Sequence, residues 1–307
     1  MRGSEVIRLS VFFDHILQAE EQTGKHIPEL LAEVKKAGIS AVEINCTYLL
    51  EHSATLEMLE TAGLQVSCIY EFYALERGRE TEKARRHIEI ARKTKAGKIL
   101  IVPGFFSVET EEFVNCVPDR EKVWDYLSHS EKAQRMADGL REIVEMAGSR
   151  NIADTPITVV IEDFDDRNSP IACVSGMQWF AKQVPGLCFT FDTGNFIIHG
   201  ENIFAAWEEL KDKVVHVHCK DRKISSDKPL QTQKNATPDI KECYLPAAVG
   251  EGCIPIKELV YKMKEYGYRG YLAIEHFDAA DQEAYMQKSV ANLQEYCSQT
   301  GMGIYTK

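Results

Sequence analysis

Four side chains that commonly bind metal ions stand near the ends of four short apolar segments in the second half of the chain. They are Glu162, Asp192, His218 and Glu275. Three carboxylates brought together in a protein interior would repel one another, and burying them unpaired would be costly, whereas a divalent cation removes both difficulties. This ligand set suits Mn²⁺, Mg²⁺, Co²⁺ or Zn²⁺ and does not choose among them. The sequence therefore predicts one divalent metal ion, provided that the fold brings the four residues together.

The segments that carry these residues belong to a series of eight apolar runs. Each run is short, rich in Val, Ile, Phe and Tyr, and bounded by Gly, Pro or polar residues, which is typical of β-strands. The metal-ligand candidates occupy the last four runs. The eight runs cover residues 6–13, 41–46, 64–72, 98–104, 157–164, 187–194, 214–221 and 271–277.

Alternation along a strand predicts which side chains face the interior of a barrel. In run 187–194 the bulky Phe189 and Phe191 would pack against helices, so Asp192 would face the barrel axis. The same alternation places five more residues on the axis: Glu162, His216, His218, Lys220 and Glu275. It places three residues of the seventh run outward: Val215, Val217 and Cys219. His216 lies one layer deeper than His218, and we expect it to be a buried structural group paired with inward Glu43.

Segments with helical periodicity separate the strand-like runs. They cover 27–38, 81–97, 131–148, 256–267 and about 280–298, and the first four end in Gly. Alternating strands and helices imply a parallel sheet, either a closed barrel or an open doubly wound sheet. Eight units favour closure, and the chain lacks the GxGxxG and P-loop motifs of nucleotide-binding open sheets. We therefore predict an α/β fold, a (β/α)8 TIM barrel, with residues 1–307 forming a single domain.

Two connections, at about 105–130 and 222–255, are longer than usual for such a fold. Both follow the C-terminal ends of predicted strands, the face where barrel enzymes carry their sites. We expect them to act as lids over the site; decorative surface insertions are the alternative.

Composition limits the partners and the compartment. The net charge of −11 argues against a nucleic-acid partner. The nine cysteines lack CxxC pairs, which indicates reduced thiols in a reducing compartment. Neither a signal peptide nor an apolar stretch of about 18 residues is evident. We expect a cytoplasmic protein without a membrane partner, and whether it forms a homo-oligomer stays open.

Several segments resemble the xylose isomerase-like TIM-barrel superfamily, which contains sugar phosphate isomerases, epimerases and related dehydratases. The similar segments are VVIEDFDD (159–166), FTFDTGNF (189–196), VVHVHCKDRK (214–223), VGEGCIPI (249–256) and LAIEHF (272–277). The resemblance covers essentially the whole chain and implies a metal site of Glu162, Asp192, His218 and Glu275. It also implies that Glu162 and Glu275 form the catalytic acid–base pair.

Four further residues are candidate substrate contacts: Lys220, Asn195, Glu251 and Phe105. Lys220 lies one inward position beyond the histidine ligand and could polarise a substrate oxygen or bind a phosphate; a salt bridge, for example with Asp221, is the alternative. Asn195 stands where many members of the superfamily carry histidine. Glu251 lies between two glycines where the second long loop returns, and Phe105 is one of several aromatic residues at strand ends that could wall a pocket.

These features predict a metal-dependent isomerase or epimerase that acts on a small sugar or sugar phosphate through an enediolate intermediate. A cation next to a carbonyl acidifies the α C–H, and two flanking carboxylates can remove and return the proton. The alternative is a metal-dependent dehydratase (lyase) of a cyclic polyol such as an inosose or dehydroshikimate. A non-catalytic sugar-binding barrel is less favoured. So is an apurinic endonuclease, because Asn195 replaces a further histidine and the net charge does not suit DNA.

Overall fold

In the computed structural model, eight parallel strands close into a barrel. The structure describes residues 6–106, 111–117, 119–148, 156–225, 243–299 and 303–304. The barrel strands are β1 (Val6–Phe12), β2 (Ala41–Asn45), β3 (Gln65–Phe72), β4 (Lys98–Val102), β5 (Thr158–Glu162), β6 (Cys188–Asp192), β7 (Val214–Ser225) and β9 (Tyr271–Glu275). Two short strands, β8 (Cys243–Ala247) and β10 (Gly303–Ile304), lie outside the barrel. Strands β1 to β7 pair in sequence order, and β9 closes the barrel between β7 and β1. The predicted (β/α)8 fold is confirmed.

The barrel wall separates two apolar layers. The larger layer lies between strands and helices and contains Phe189 and Phe191, as alternation predicts. Because Asp192 follows Phe191 on the opposite face of β6, it faces the barrel axis. The smaller layer fills the barrel itself: Phe12, Cys68, Tyr70, Leu100, Val102, Val160 and Ala273.

Strand β7 contains one irregularity that alternation does not reveal. Its pairing with β6 shifts by one residue between Val214 and His216, so Val215 is the extra residue of a β-bulge. Val215 packs against the inner cluster, and the prediction that it faces outward is wrong. Val217 and Cys219 lie in the outer core, as predicted.

Twelve α-helices lie in the described part of the chain, and the five predicted ones are among them. They are α1 (Phe13–Thr23), α2 (Ile27–Ala37), α3 (Cys46–Glu51), α4 (Ala54–Ala62), α5 (Thr81–Thr94), α6 (Glu111–Cys116), α7 (Arg120–His129), α8 (Glu131–Gly148), α9 (Val174–Gln183), α10 (Ile203–Leu210), α11 (Ile256–Tyr266) and α12 (Gln282–Gln299). Helices α2, α4 and α11 end at Gly38, Gly63 and Gly267, whose φ angles are 110°, 69° and 85°. None of the described helices is long and apolar enough to span a membrane.

The two segments predicted as long loops differ in structure. Segment 105–130 carries α6 and α7, so the prediction of one long loop there is wrong; residues 107–110 and 118 lie outside the described residues. In segment 222–255, β7 runs on to Ser225 and pairs antiparallel with β8. Residues 226–242, the middle of that predicted loop, lie outside the described residues. Three residues of β8, including Tyr244, line a cavity at the C-terminal end of the barrel.

Candidate metal centre and cavity

The four candidate metal ligands converge at the C-terminal end of the barrel. Glu162, Asp192 and Glu275 are the last residues of β5, β6 and β9, and His218 lies beside Asp192 in β7. One ligand atom of each residue lies within 4.8 Å of the others, and all four residues are buried. His218 Nδ1 is 2.8 Å from Glu162 Oε2 and 3.2 Å from Glu275 Oε2. The structure thus brings together the four predicted ligands, which are among the residues that alternation places on the axis.

Two buried atoms of this cluster, His218 Nδ1 and Asp192 Oδ2, make no well-aligned hydrogen bond among the described residues. Their nearest charged neighbours are the carboxylates of Glu162 and Glu275 and the ammonium of Lys220. Nearly all buried polar atoms in proteins are hydrogen-bonded, so two poorly satisfied atoms beside three carboxylates leave room for a further ligand. A divalent cation would bind both atoms and balance the three carboxylates. The residues present therefore fit a divalent metal ion.

The buried carboxylate of Glu43 holds both histidines of β7 in place. Its Oε2 accepts hydrogen bonds from His216 Nε2 at 2.8 Å and from His218 Nε2 at 3.1 Å, which confirms the predicted pairing of His216. Burial lowers the pKa of His216 to about 4, so this imidazole is neutral at pH 7. The contact with His218 leaves Nδ1 directed at the three carboxylates. A carboxylate that orients a metal-binding imidazole in this way is common at metal sites.

Replacing Glu43 with Gln is expected to weaken Mn²⁺ binding about 10–100-fold, because the amide orients His218 less firmly and makes its imidazole less basic. The measurement is a competition titration against a chromogenic chelator, with circular dichroism as the check on folding. Glu71→Gln is the matched control, since Glu71 is a buried carboxylate on β3 that accepts hydrogen bonds from Thr47 instead. Equal Mn²⁺ affinity in Glu43→Gln and wild type would show that Glu43 does not support the site.

A second buried carboxylate, Asp163, supports Asp192. Asp163 Oδ1 accepts a hydrogen bond from the Asp192 backbone N–H at 2.8 Å, and Asp192 Oδ1 accepts one from Gly194 N–H at 2.7 Å. Burial, and then the neighbouring Asp192, raise the pKa of Asp163 well above its usual range. Sequence reasoning missed this residue. The sequence feature that could have identified Asp163 is an acidic residue directly after Glu162. Strand alternation directs the side chain at that position away from the barrel axis.

The ammonium group of Lys220 reaches into the carboxylate cluster. Lys220 Nζ lies 2.6 Å from Glu275 Oε1 and 3.5 Å from Asp192 Oδ2. Burial alone would raise the pKa of Glu275, but Lys220 and His218 outweigh it and hold that pKa well below the usual range. The pKa of Glu162 is raised by burial. The two carboxyl groups therefore differ in environment, and Lys220 supplies positive charge close to both.

The suggested salt bridge between Lys220 and Asp221 is wrong, because Asp221 has other partners. Its carboxylate accepts hydrogen bonds from the backbone N–H groups of Gly250, Gly252 and Ile254 at 2.8, 2.9 and 3.1 Å. A Cβ on Gly252 would lie 2.1 Å from Asp221 Oδ1, so glycine is required there. Asp221 thus anchors the segment that returns from β8 to α11.

Asn195 is buried and ties three neighbours together. Its Nδ2 donates to the Asp163 carbonyl at 2.8 Å, and its Oδ1 accepts from Lys220 Nζ at 3.1 Å and Arg222 Nη2 at 2.8 Å. Arg222 also contacts Asp165, with 3.1 Å between Nη2 and Oδ2. Asn195 therefore positions two cations at the edge of the cluster.

A cavity of about 620 Å³ opens above the cluster. Glu162, His218, Lys220 and Glu275 form part of its floor, and Asn195 lines it as well. Its walls are largely aromatic, from four strands or the turns that follow them: Phe12, Tyr70, Phe72, Phe164 and Phe277. The space suits a small polar molecule whose C–H surfaces contact the rings.

Two of the predicted substrate contacts do not line this cavity. Phe105 packs behind it, with its ring centroid 5.4 Å from that of Phe164. Glu251 lies near the surface, 3.1 Å from Lys288 Nζ. Phe105 thus supports the wall, and Glu251 lies outside the cavity.

Comparison with known families agrees with this arrangement of strands and ligands. The sequence model described as the xylose isomerase-like TIM barrel matches residues 31–296, most of the chain. The chain belongs to this family. As a xylose isomerase-like barrel, it carries its four candidate ligands on the last four strands of the closed sheet.

Two relatives of this xylose isomerase-like barrel are distant in sequence. It is 23% identical over 288 residues to an inosose dehydratase of Bacillus licheniformis, covering 89% of this chain and 85% of that protein. An inosose dehydratase of Clostridium beijerinckii is 20% identical over 254 residues, covering 80% of each.

Solved structures similar to this barrel share its fold. D-psicose 3-epimerase of Clostridium cellulolyticum, solved with D-tagatose, has a TM-score of 0.65 at 14% identity, covering 96% of this chain and 99% of that one. A xylose isomerase-like barrel of Mycobacterium smegmatis, solved with magnesium, has a TM-score of 0.65 at 14% identity, covering 98% and 99%. Such low identities establish the fold alone.

Proposed function

We propose that this chain is a metal-dependent isomerase or epimerase of a small sugar or sugar phosphate. The observation that carries the proposal is the convergence of Glu162, Asp192, His218 and Glu275 beneath an aromatic cavity. In this proposal the four residues hold one divalent cation. When bound, the cation would polarise a substrate carbonyl and so acidify the adjacent C–H.

Glu162 and Glu275 carry the proton transfers in this mechanism. They stand on β5 and β9, and both line the cavity floor. One carboxylate removes the proton from the carbon next to the carbonyl and leaves an enediolate. The other returns a proton to the opposite face of that carbon, which gives an epimer, or to the neighbouring carbon, which gives an isomer. No redox partner is required, since the substrate's electrons are only rearranged.

Lys220 fits the charge that develops in this step. Its ammonium group is 2.6 Å from Glu275 Oε1 and also faces the cavity. A cation held there by Asn195 and Asp192 stabilises an oxygen that gains negative charge as the proton leaves. The aromatic walls exclude water from the reacting carbon, which strengthens these electrostatic contacts.

Solvent exchange across a panel of small carbonyl compounds tests the proposal. Mn²⁺-loaded protein in D₂O would be incubated with ketoses, aldoses, their phosphates and keto-inositols, followed by mass spectrometry and NMR. We expect deuterium at a carbon next to a carbonyl, together with an epimeric or isomeric product. Folded, metal-loaded protein that exchanges no member of the panel would contradict the proposal.

Dehydration of a cyclic polyol is the second candidate, and Asp14 with Tyr70 is the observation that favours it. Both residues line the cavity, and Tyr70 Oη donates to Asp14 Oδ2 at 2.9 Å. Burial raises the pKa of Asp14, and the hydrogen bond from Tyr70 acts in the opposite direction. After a base removes the α proton, the β C–O bond breaks, and a proton from Asp14 releases the hydroxyl as water. Two relatives named as inosose dehydratases agree with this candidate.

Replacing Asp14 with Asn separates the two candidates. If the enzyme is a dehydratase, Asp14→Asn should reduce water loss about 10²–10⁴-fold, because no acid then protonates the leaving hydroxyl. Deuterium exchange at the α carbon should continue, because Glu162 and Glu275 are unchanged. The measurement follows exchange and dehydration of a keto-inositol in the same sample. If Asp14→Asn reduced exchange and dehydration equally, or changed neither, Asp14 would not be the acid.

A further inference from the structure

The end of the barrel opposite the metal centre contains a second cavity, of about 850 Å³. It is formed where barrel strands begin, by inward side chains that include Arg8, Lys98, Thr158 and Tyr271. Catalytic residues of such barrels lie at the other face. This cavity is therefore separate from the proposed reaction, and a ligand bound in it would not depend on that reaction.

Two cations share one aromatic ring on the floor of this cavity. The Arg8 guanidinium carbon lies 4.1 Å from the centroid of the Tyr271 ring, and Lys98 Nζ lies 5.4 Å from it. Within the described residues, neither cation has a carboxylate within 4.0 Å or a side-chain hydrogen bond. Both side chains are only half-exposed. Arg8 lowers the pKa of Lys98, so the two partly shielded charges repel each other, and an anion that contacts both would be stabilising.

This arrangement contrasts with the rest of the protein. The chain has a net charge of −11, and the largely buried cation at the other face, Lys220, contacts three carboxylates. In the part of the chain that the structure describes, Arg8 and Lys98 have no such partners although acids outnumber bases. Two more lysines, Lys93 and Lys95, stand at the cavity rim and add positive charge, partly offset by the exposed acids at positions 57 and 60.

We infer that this cavity is a binding site for a small anion carrying a phosphate or carboxylate group. Arg8 and Lys98 would bind the anionic oxygens, since guanidinium and ammonium groups form strong charge-assisted hydrogen bonds with both. The Thr158 hydroxyl group, at the start of β5 opposite Lys98 in the pairing of β4 and β5, offers a further donor.

The environment of Lys98 agrees with this assignment. Burial lowers the pKa of Lys98, and Arg8 adds to the decrease, while Cys68 and Glu43 act in the opposite direction. An anion bound beside Lys98 would favour its protonated form. The free-energy cost of keeping Lys98 protonated in this partly buried position would thus be lowest when an anion is bound.

Titration with inorganic phosphate and with malonate tests the assignment and distinguishes the two anion classes. Metal-loaded wild-type protein would be titrated by calorimetry at constant ionic strength, with chloride as the balancing anion. We expect saturable binding of at least one probe, weakened about 10-fold or more in Lys98→Met and in Arg8→Gln, because each loses a charge-assisted contact. Lys36→Gln is the control, since Lys36 is exposed on α2 and lies outside the cavity.

Hydrogen exchange on the wild-type protein locates the anion even if a variant fails to fold. Protection of amides in 93–98 and around Arg8 would support the site. Three outcomes would overturn it. They are no saturable binding of either probe, unchanged affinity in both folded variants, and protection confined to residues 194–195 and 220–222, which would place the anion beside Lys220 and Arg222.

Discussion

Glu275→Gln is expected to lower turnover about 10²–10⁴-fold, and Glu162→Gln should do the same. Each change keeps an oxygen that can ligate a metal but removes the group that accepts or returns the substrate proton. Steady-state rates should be measured with saturating Mn²⁺ on a substrate that shows exchange in D₂O. The metal content of each variant should be determined in parallel, so that loss of the base is separated from loss of the cation.

A matched control for these variants is Asp278→Asn. Asp278 lines the same cavity but is no member of the ligand cluster, and its φ of 63° is tolerated by Asn. We expect it to retain most of the activity. Full turnover in Glu275→Gln or Glu162→Gln with bound metal would rule out that residue as an acid–base group.

His218→Ala and Asp192→Asn are expected to weaken Mn²⁺ binding more than about 100-fold, beyond the effect of changing a supporting residue such as Glu43. The first removes the single imidazole ligand, and the second removes a negative charge at the centre of the cluster. The measurement is metal stoichiometry by elemental analysis after dialysis, together with a melting curve. Activity should fall in proportion to the lost metal.

His87→Gln controls for the removal of a buried histidine. His87 lies on α5, where it contacts Tyr73 Oη at 3.1 Å and the Ile69 carbonyl at 3.0 Å, away from the cluster. It should retain normal stoichiometry when folded. Normal stoichiometry in His218→Ala and Asp192→Asn would mean that this cluster is no metal site.

Much of the site follows from strand alternation. In β5, β6 and β9 the last residue is an acid directly preceded by a large apolar residue, such as Phe191 before Asp192. Because apolar side chains must face the helices, the acids must face the axis, and closure of the barrel brings them together. The same logic predicts the pairing of His216 with Glu43.

Other features depend on tertiary packing that a sequence pattern does not carry. The bulge at Val215 turns the side chain of that residue toward the barrel interior, and no Gly or Pro in the sequence marks the bulge. Helix α1 begins at Phe13, directly after β1, so the apolar pattern of the strand continues into the helix without a break. Helix α6 has only six residues, but α7 does carry a sequence signal, since Asp119 caps it and Val123 and Leu127 lie one helical turn apart on its buried face. The prediction of one long loop overlooked that signal.

The supporting residues are the hardest to find from sequence. Asp163 and Asp14 have hydrogen-bond partners that are distant in sequence, Asp192 and Tyr70, and Arg222 reaches Asn195 because β7 extends past the barrel. Glu251 illustrates the opposite case. Its two flanking glycines suggest a close approach to the substrate, whereas the close approach is that of Gly252 to Asp221.

Dependence of α-proton exchange on the metal is the most direct test of the central claim. The protein would be stripped with a chelator, verified to be metal-free by elemental analysis, and incubated with an exchanging substrate in D₂O before and after one equivalent of Mn²⁺. We predict no deuterium incorporation by the stripped protein and recovery once the cation is restored. Undiminished exchange by the verified metal-free protein would contradict the account, because Glu162 and Glu275 would then act without a cation.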